Sequence, residues 1–196
     1  MTHVGLNPTR DMMIGFGAKC ADDNWWRIPV SYFVPAGFIP FVLTWGIQLM
    51  AGLYLEKSWG TLRVFAVLCC GVWGGMRASC TADSNFVSTG QTSGCMGLLG
   101  AYIVDVFSYW QIFPRYTFRR YATIWFLLVV VLLLMCLFDH NDPIAAVAGL
   151  GFGIIASIGL VPLSGFQSTT STILQFSVFV GTLVVIFHGL DGCVNG

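Results

Sequence analysis

Long apolar runs alternate with short polar turns along the whole chain, and their lengths set the expected architecture. From Val34 to Leu55 only Thr44 and Gln48 interrupt the apolar run, which is long enough to cross a hydrocarbon layer of about 30 Å. The turn Glu56 to Gly60 then sends the chain back, and further apolar runs cover Leu62–Gly75, Gly90–Phe113, Ala122–Phe138, Ile144–Leu163 and Thr172–Phe187. Polar stretches separate them. Met76–Thr89 carries Arg77, Asp83, Ser84, Asn85 and Ser88, and Asp139–Asp142 ends at Pro143, a helix-start signal. The pattern predicts an all-α membrane protein of about six transmembrane helices. It divides into a polar N-terminal segment over 1–24, a helical core over 25–163, and a linker with an additional C-terminal transmembrane helix over 164–196.

Small residues recur at helical spacing inside these runs. Gly71 and Gly75 form GxxxG; Gly94, Gly97 and Gly100 follow one another in the third run; Gly149, Gly151 and Gly153 lie in the fifth. Such seams let helix backbones approach closely where lipid offers no hydrophobic drive for association. The Leu and Val run of Ala122–Phe138 has no such seam and is expected to face lipid. Pro40 lies inside the first run, where a missing donor is expected to kink the helix.

Composition narrows the function classes. The chain is 56% hydrophobic and 9% charged, against roughly 25% charge in a soluble domain. Nine basic residues balance nine acidic ones, which leaves no basic surface for nucleic acid. The seven cysteines form no CxxC and read as small buried hydrophobes rather than a disulfide framework or metal site. Residues 1–24 mix Arg10 and Lys19 with Asp11, Asp22 and Asp23, which suits neither a secretory signal nor an Arg-rich presequence. Arg115, Arg119 and Arg120 form the strongest basic cluster, on the same side as Lys57, but Arg10, Lys19, Arg27 and Arg77 fall opposite, so charge leaves the orientation open. No cofactor and no metal is expected; the Arg115, Arg119 and Arg120 cluster can hold an anionic phospholipid headgroup, the alternative being a topology signal with no bound molecule. Asp105, an acid within a membrane run, reads as a hydrogen-bond acceptor for a neighbouring helix, with a functional role as the alternative. His140 between Asp139 and Asp142 reads as part of a solvated turn with a helix-capping acid.

Three spaced motifs carry a resemblance to the rhomboid intramembrane proteases. Gly90 to Tyr102, GQTSGCMGLLGAY, resembles their active-site helix; Trp26 and Arg27, then Glu56 and Gly60, then Arg63 match their first loop and the turn after it; Gly149 and Gly153 match a later glycine pair. The resemblance implies a rhomboid-like helix bundle of five core helices plus one C-terminal helix, without the family's first helix. It also implies where the chemistry would sit. The nucleophile position falls on Thr92, the general-base position on Ala146, and the oxyanion-supporting positions on Pro40 and Thr44.

Serine hydrolysis needs a nucleophile, a base and oxyanion donors. With these positions replaced, the expected protein is a pseudoprotease and not an enzyme: a noncatalytic subunit of a multisubunit complex, with other membrane subunits and lipid as partners. The chain is similar in size and in its altered motifs to rhomboid-like subunits of the mitochondrial inner-membrane presequence translocase of some protists. That similarity implies an inner-membrane location and a role in protein transport, or in a respiratory-type assembly. A related reading has it guiding polypeptides, with Thr44 and Gln48 forming a polar lateral face. The alternative is an atypical protease using Ser93 and His140.

Overall fold

The computed structural model describes residues 27–33, 38–82, 90–108, 121–123, 125–126, 128–130, 142–160 and 177–186. Every regular element among them is a helix: α1 (Arg27–Ser31), α2 (Phe38–Trp59), α3 (Thr61–Ala82), α4 (Gly90–Ser108), α5 (Tyr121–Val130), α6 (Pro143–Leu160) and α7 (Ser177–Ile186). Among the described residues, α3 and α6 are the helices long and apolar enough to cross a membrane by length and composition.

Helices α3 and α2 depart from their expected bounds. Helix α3 does not stop near Gly75 but runs on through Arg77 to Ala82, because Met76 and Ser79 on its inner face are buried and the polar Ser79 has a partner, Asp142. Helix α2 begins at Phe38, which puts Pro40 in its first turn and not in its interior. Backbone donors there have no intrahelical acceptor in any case, so the proline costs no hydrogen bond and gives no reason for a kink.

The turn between α2 and α3 follows from Glu56 and Gly60. Gly60 adopts a φ of 84°, the left-handed conformation that favours glycine, and its amide donates to the Glu56 carbonyl at 2.9 Å. The Thr61 hydroxyl donates to the Glu56 carboxylate at 2.5 Å, which fixes the start of α3.

Helices α3, α4 and α6 form the centre of the molecule, and glycine sets their spacing. Gly71 of α3 faces Gly97 of α4 so closely that a methyl on either would lie 2.9 Å from the other's Cα. Added methyls at Gly100, Gly149 and Gly153 would run into the backbones of Leu150, Ser93 and Gly97 respectively. A methyl at Gly94 would lie 2.8 Å from the Val72 side chain and 2.9 Å from the Tyr32 ring. Gly151 belongs to no seam: no atom lies within 4 Å of a methyl placed there. Gly74, unremarked in the sequence, lies under the Phe152 ring.

Around this centre, an apolar cluster joins Leu55 and Trp59 of α2, Val67 and Cys70 of α3, Leu98 and Tyr102 of α4, Ala156 of α6 and Ile186 of α7. Helix α5 is not wholly lipid-facing. Trp125 lies against Tyr102 with ring centroids 4.2 Å apart, and Leu128 and Val129 pack inward, while Phe126 and Val130 are exposed. Helix α2 turns Phe38, Val42, Leu49, Met50 and Leu53 outward, the dress of a lipid-facing surface.

Candidate functional site

The first turn of α4 is the meeting point of the candidate residues. Helix α1 lies over it: a methyl on Gly90 would sit 3.0 Å from the Ser31 hydroxyl. Ser93, one residue past Thr92, is wholly buried. Its hydroxyl donates to the Gly71 carbonyl at 2.7 Å, with the Val72 carbonyl 3.3 Å away. The surrounding walls are Gly75 and Ala145: a methyl on Gly75 would meet both the Ser93 hydroxyl and the Ala145 carbonyl, and one on Gly149 would meet the Ser93 backbone. Ser93 is thus a peg in the α3–α4–α6 seam, its single proton committed to backbone oxygen.

Thr92 is also buried. Ala146 is fully buried in a cluster with Ile47, Cys95, Met96 and Leu99, so a methyl in an apolar environment occupies that point. Pro40 belongs to the first turn of α2, and Thr44, one turn on, is 5% exposed with its hydroxyl returned to the Phe41 carbonyl at 3.2 Å. The expectation of a polar lateral face on α2 is corrected here. Thr44 and Gln48 are both buried: the Thr44 hydroxyl is satisfied within its own helix, and Gln48 finds in α4 and Tyr32 partners that lipid cannot supply. The Gln48 amide donates to the Gln91 carbonyl at 3.3 Å, its oxygen accepts from the Tyr32 hydroxyl at 3.0 Å, and the Cys95 thiol reaches the Thr44 carbonyl at 3.8 Å. Burial pushes the Tyr32 phenol above its ordinary value of 10.0, which keeps it a neutral donor. The Gln91 side-chain amide nitrogen is buried without a partner.

Two further polar pairs lie away from this point. Asp142 is the N-cap of α6: one carboxylate oxygen accepts from the Ile144 and Ala145 amides at 2.9 and 3.2 Å, and the other accepts from the Ser79 hydroxyl. Asp105, 1% exposed, accepts a 2.6 Å hydrogen bond from the Trp59 indole and so ties the end of α2 to α4. His140 and the basic residues Arg115, Arg119 and Arg120 lie outside the described residues.

Sequence reasoning missed the Ser79–Asp142 pair and the Tyr32–Gln48–Gln91 chain. The Asp142 cap itself was legible, since Asp142 immediately precedes Pro143, but its pairing with Ser79 was not. Nothing in the sequence linked Gln48 to a backbone carbonyl 43 residues away. The reading of the cysteines also needs correction. Cys69, Cys70 and Cys95 form no disulfide, but Cys80, at the end of α3, is disulfide-bonded, its partner lying outside the described residues. Cys80 sits at a helix end and not in an apolar run, and there a second chain segment can reach it.

The arrangement of helices and the short-spaced glycines agree with the comparison to known families, in which residues 22–163 match the Rhomboid domain. The chain belongs to the rhomboid family. Among rhomboid relatives, RHOMBOID-like protein 6, mitochondrial, of Arabidopsis thaliana is 26% identical over 145 residues, covering 72% of this chain and 46% of that protein. RHOMBOID-like protein 5 of the same plant is 29% identical over 109 residues, covering 55% of this chain and 34% of its own length. This rhomboid chain therefore spans less than half the length of the curated relatives it matches.

Proposed function

We propose that this rhomboid is a noncatalytic subunit of a multisubunit membrane complex, a pseudoprotease acting by helix packing or by guiding polypeptides. The observation that carries the reading is the use made of Ser93. Its hydroxyl is donated to the Gly71 carbonyl inside a seam walled by Gly75, Ala145 and Gly149. Ala146 in its apolar cluster can take no proton, and general-base help is worth ~10² to 10⁴-fold in rate. A protease built on Ser93 and His140 would have to pull Ser93 out of that seam first.

The mitochondrial name of one relative supports a mitochondrial inner-membrane location, in a protein translocase or a respiratory-type assembly. Its partners are then other membrane subunits, through the outward apolar side of α2, with anionic lipid at Arg115, Arg119 and Arg120. The test is isolation of the native protein in mild detergent, with blue-native sizing and mass spectrometry of the co-purifying chains. A stoichiometric large assembly is the expected result; migration alone overturns the reading. A photocrosslinker at Met50, which faces outward, separates the two modes of action. One fixed adduct means packing, whereas adducts that vanish when protein synthesis is blocked mean a polypeptide in transit.

A further inference from the structure

Helices α4 and α5 leave between them a groove of about 240 Å³. Ile103 and Phe107 line it from α4 and Ala122, Phe126 and Val129 from α5, with Trp125, which lies against Tyr102 and the core, behind them. Its walls are apolar throughout, and Phe107 and Phe126 are both largely exposed beside its opening. We propose that this groove seats one acyl chain of an anionic phospholipid, whose phosphate is held by the arginines that precede α5 in the sequence.

The walls select hydrocarbon. A groove without polar groups gives water nothing to bond, and left empty it forfeits dispersion contacts along its whole lining. A partner helix fits it poorly, because membrane helices associate through small residues that admit a neighbouring backbone, and among the lining residues Ala122 alone is small. A flexible chain has no such requirement and fills the space between branched and aromatic side chains. The size agrees as well: from Ala122 to Val129 the groove follows ~10 Å of helix, against ~15 Å for half of the hydrocarbon layer.

Charge selects the headgroup. The groove is built from the end of α4 and the first turns of α5, and the chain that joins them carries Arg115, Arg119 and Arg120, the last directly before Tyr121. No acid occurs in the sequence between Asp105 and Asp139, so these three charges have no local counter-ion in the chain. Tyr109, Trp110, Tyr116 and Tyr121 belong to the same stretch, the composition of a headgroup-level belt. A guanidinium fork matches phosphate oxygens, and a basic cluster at the membrane surface favours an anionic lipid over a zwitterionic one. The proposal extends the lipid contact given under the proposed function, and it requires neither a complex nor the loss of catalysis.

The test places the full-length protein in phosphatidylcholine nanodiscs with a trace of phospholipid that carries a diazirine midway along one chain, under either a phosphatidylglycerol or a phosphatidylcholine headgroup, and maps adducts by peptide mass spectrometry. The phosphatidylglycerol probe is expected to mark the groove and to be displaced by unlabelled phosphatidylglycerol, but not by inorganic phosphate. The outward side of α2, marked equally by both probes, is the internal reference. Arg119→Gln and Arg120→Gln leave the walls intact and should each lower the headgroup preference about fivefold. Ala122→Phe should remove the groove adducts while those on α2 persist. Equal marking of the groove by the two probes, or a preference unchanged in the arginine variants, overturns the proposal. So does a photoreactive residue at Phe126 that captures protein in native membranes in place of lipid. Lipid adducts and blue-native sizing are separate readouts, so this site and the subunit reading fail independently.

Discussion

Helix α4 is held in two different ways on its two sides, and the difference separates what shape contributes from what polarity contributes. Against α3 and α6 it meets glycine, and the contact is backbone on backbone, as at Gly71 and Gly97. Against α2 it meets side chains that reach across: Gln48 near one end and Trp59 near the other. The first interface has no slack, since adding one carbon collides with main chain. The second has few hydrogen bonds, so it is sensitive to deletion and tolerant of small changes in volume. In a membrane, where apolar contact alone gives little preference between protein and lipid, both devices select a neighbour; they fail under opposite mutations.

The largest effect is expected from filling the glycine seam. Gly153→Val forces α4 and α6 apart at Gly97, and overpacking of this kind costs about 3 kcal/mol or more. Thermal unfolding in detergent should show a much lowered midpoint or no folded protein. Gly151→Ala, two residues away with open space around it, is the matched control and should leave the midpoint unchanged or slightly raised, by up to ~1 kcal/mol of helix propensity. Equal losses at the two positions would sink the argument from close approach.

A middle-sized effect is expected on the α2 side. Asp105→Leu leaves the Trp59 indole without its acceptor, at about 1–3 kcal/mol, and Trp59→Phe in that background should restore part of the loss. A double-mutant cycle in unfolding experiments measures the coupling, expected near 1 kcal/mol by analogy with other membrane hydrogen bonds. Gln48→Leu should cost less, roughly 1 kcal/mol, while increasing protease access to the α1–α2 region.

The smallest effect is a pH dependence. Tyr32 has its phenol raised by burial, so the unfolded chain ionises first, near pH 10.0. Its contribution to stability is complete below that value and is lost as pH rises toward the folded-state value. In unfolding measurements, Tyr32→Phe should flatten the alkaline loss on top of a pH-independent cost of about 1 kcal/mol for the hydrogen bond to Gln48.

Much of the helix order was legible in the chain, because long apolar runs are informative in a membrane protein and Gly60 marks a turn that nothing else would make as easily. Boundaries were less so. Arg77 and Ser79 read as loop residues, yet the helix continues through them, since Ser79 finds its acceptor 63 residues away. Likewise the direction of Gln48 depends on where α4 passes, which local pattern does not encode. At the candidate site, residue identity could be read at Thr92 and Ala146, but the seam that absorbs the Ser93 hydroxyl arises only when three helices meet. Cys80 is the same lesson in covalent form, for a pairing needs two ends and sequence displays them one at a time.

Trp59 precedes Asp105 by 46 residues, and that order matters while the chain is being made. Synthesis delivers the N-terminal helix first. By the time α4 emerges, the indole at the end of α2 is already at hand, and the acid can enter an environment that holds a donor for it. Reversed in order, the same two residues would require a carboxyl group to wait in hydrocarbon for a partner not yet synthesised, an expensive interval for any membrane helix.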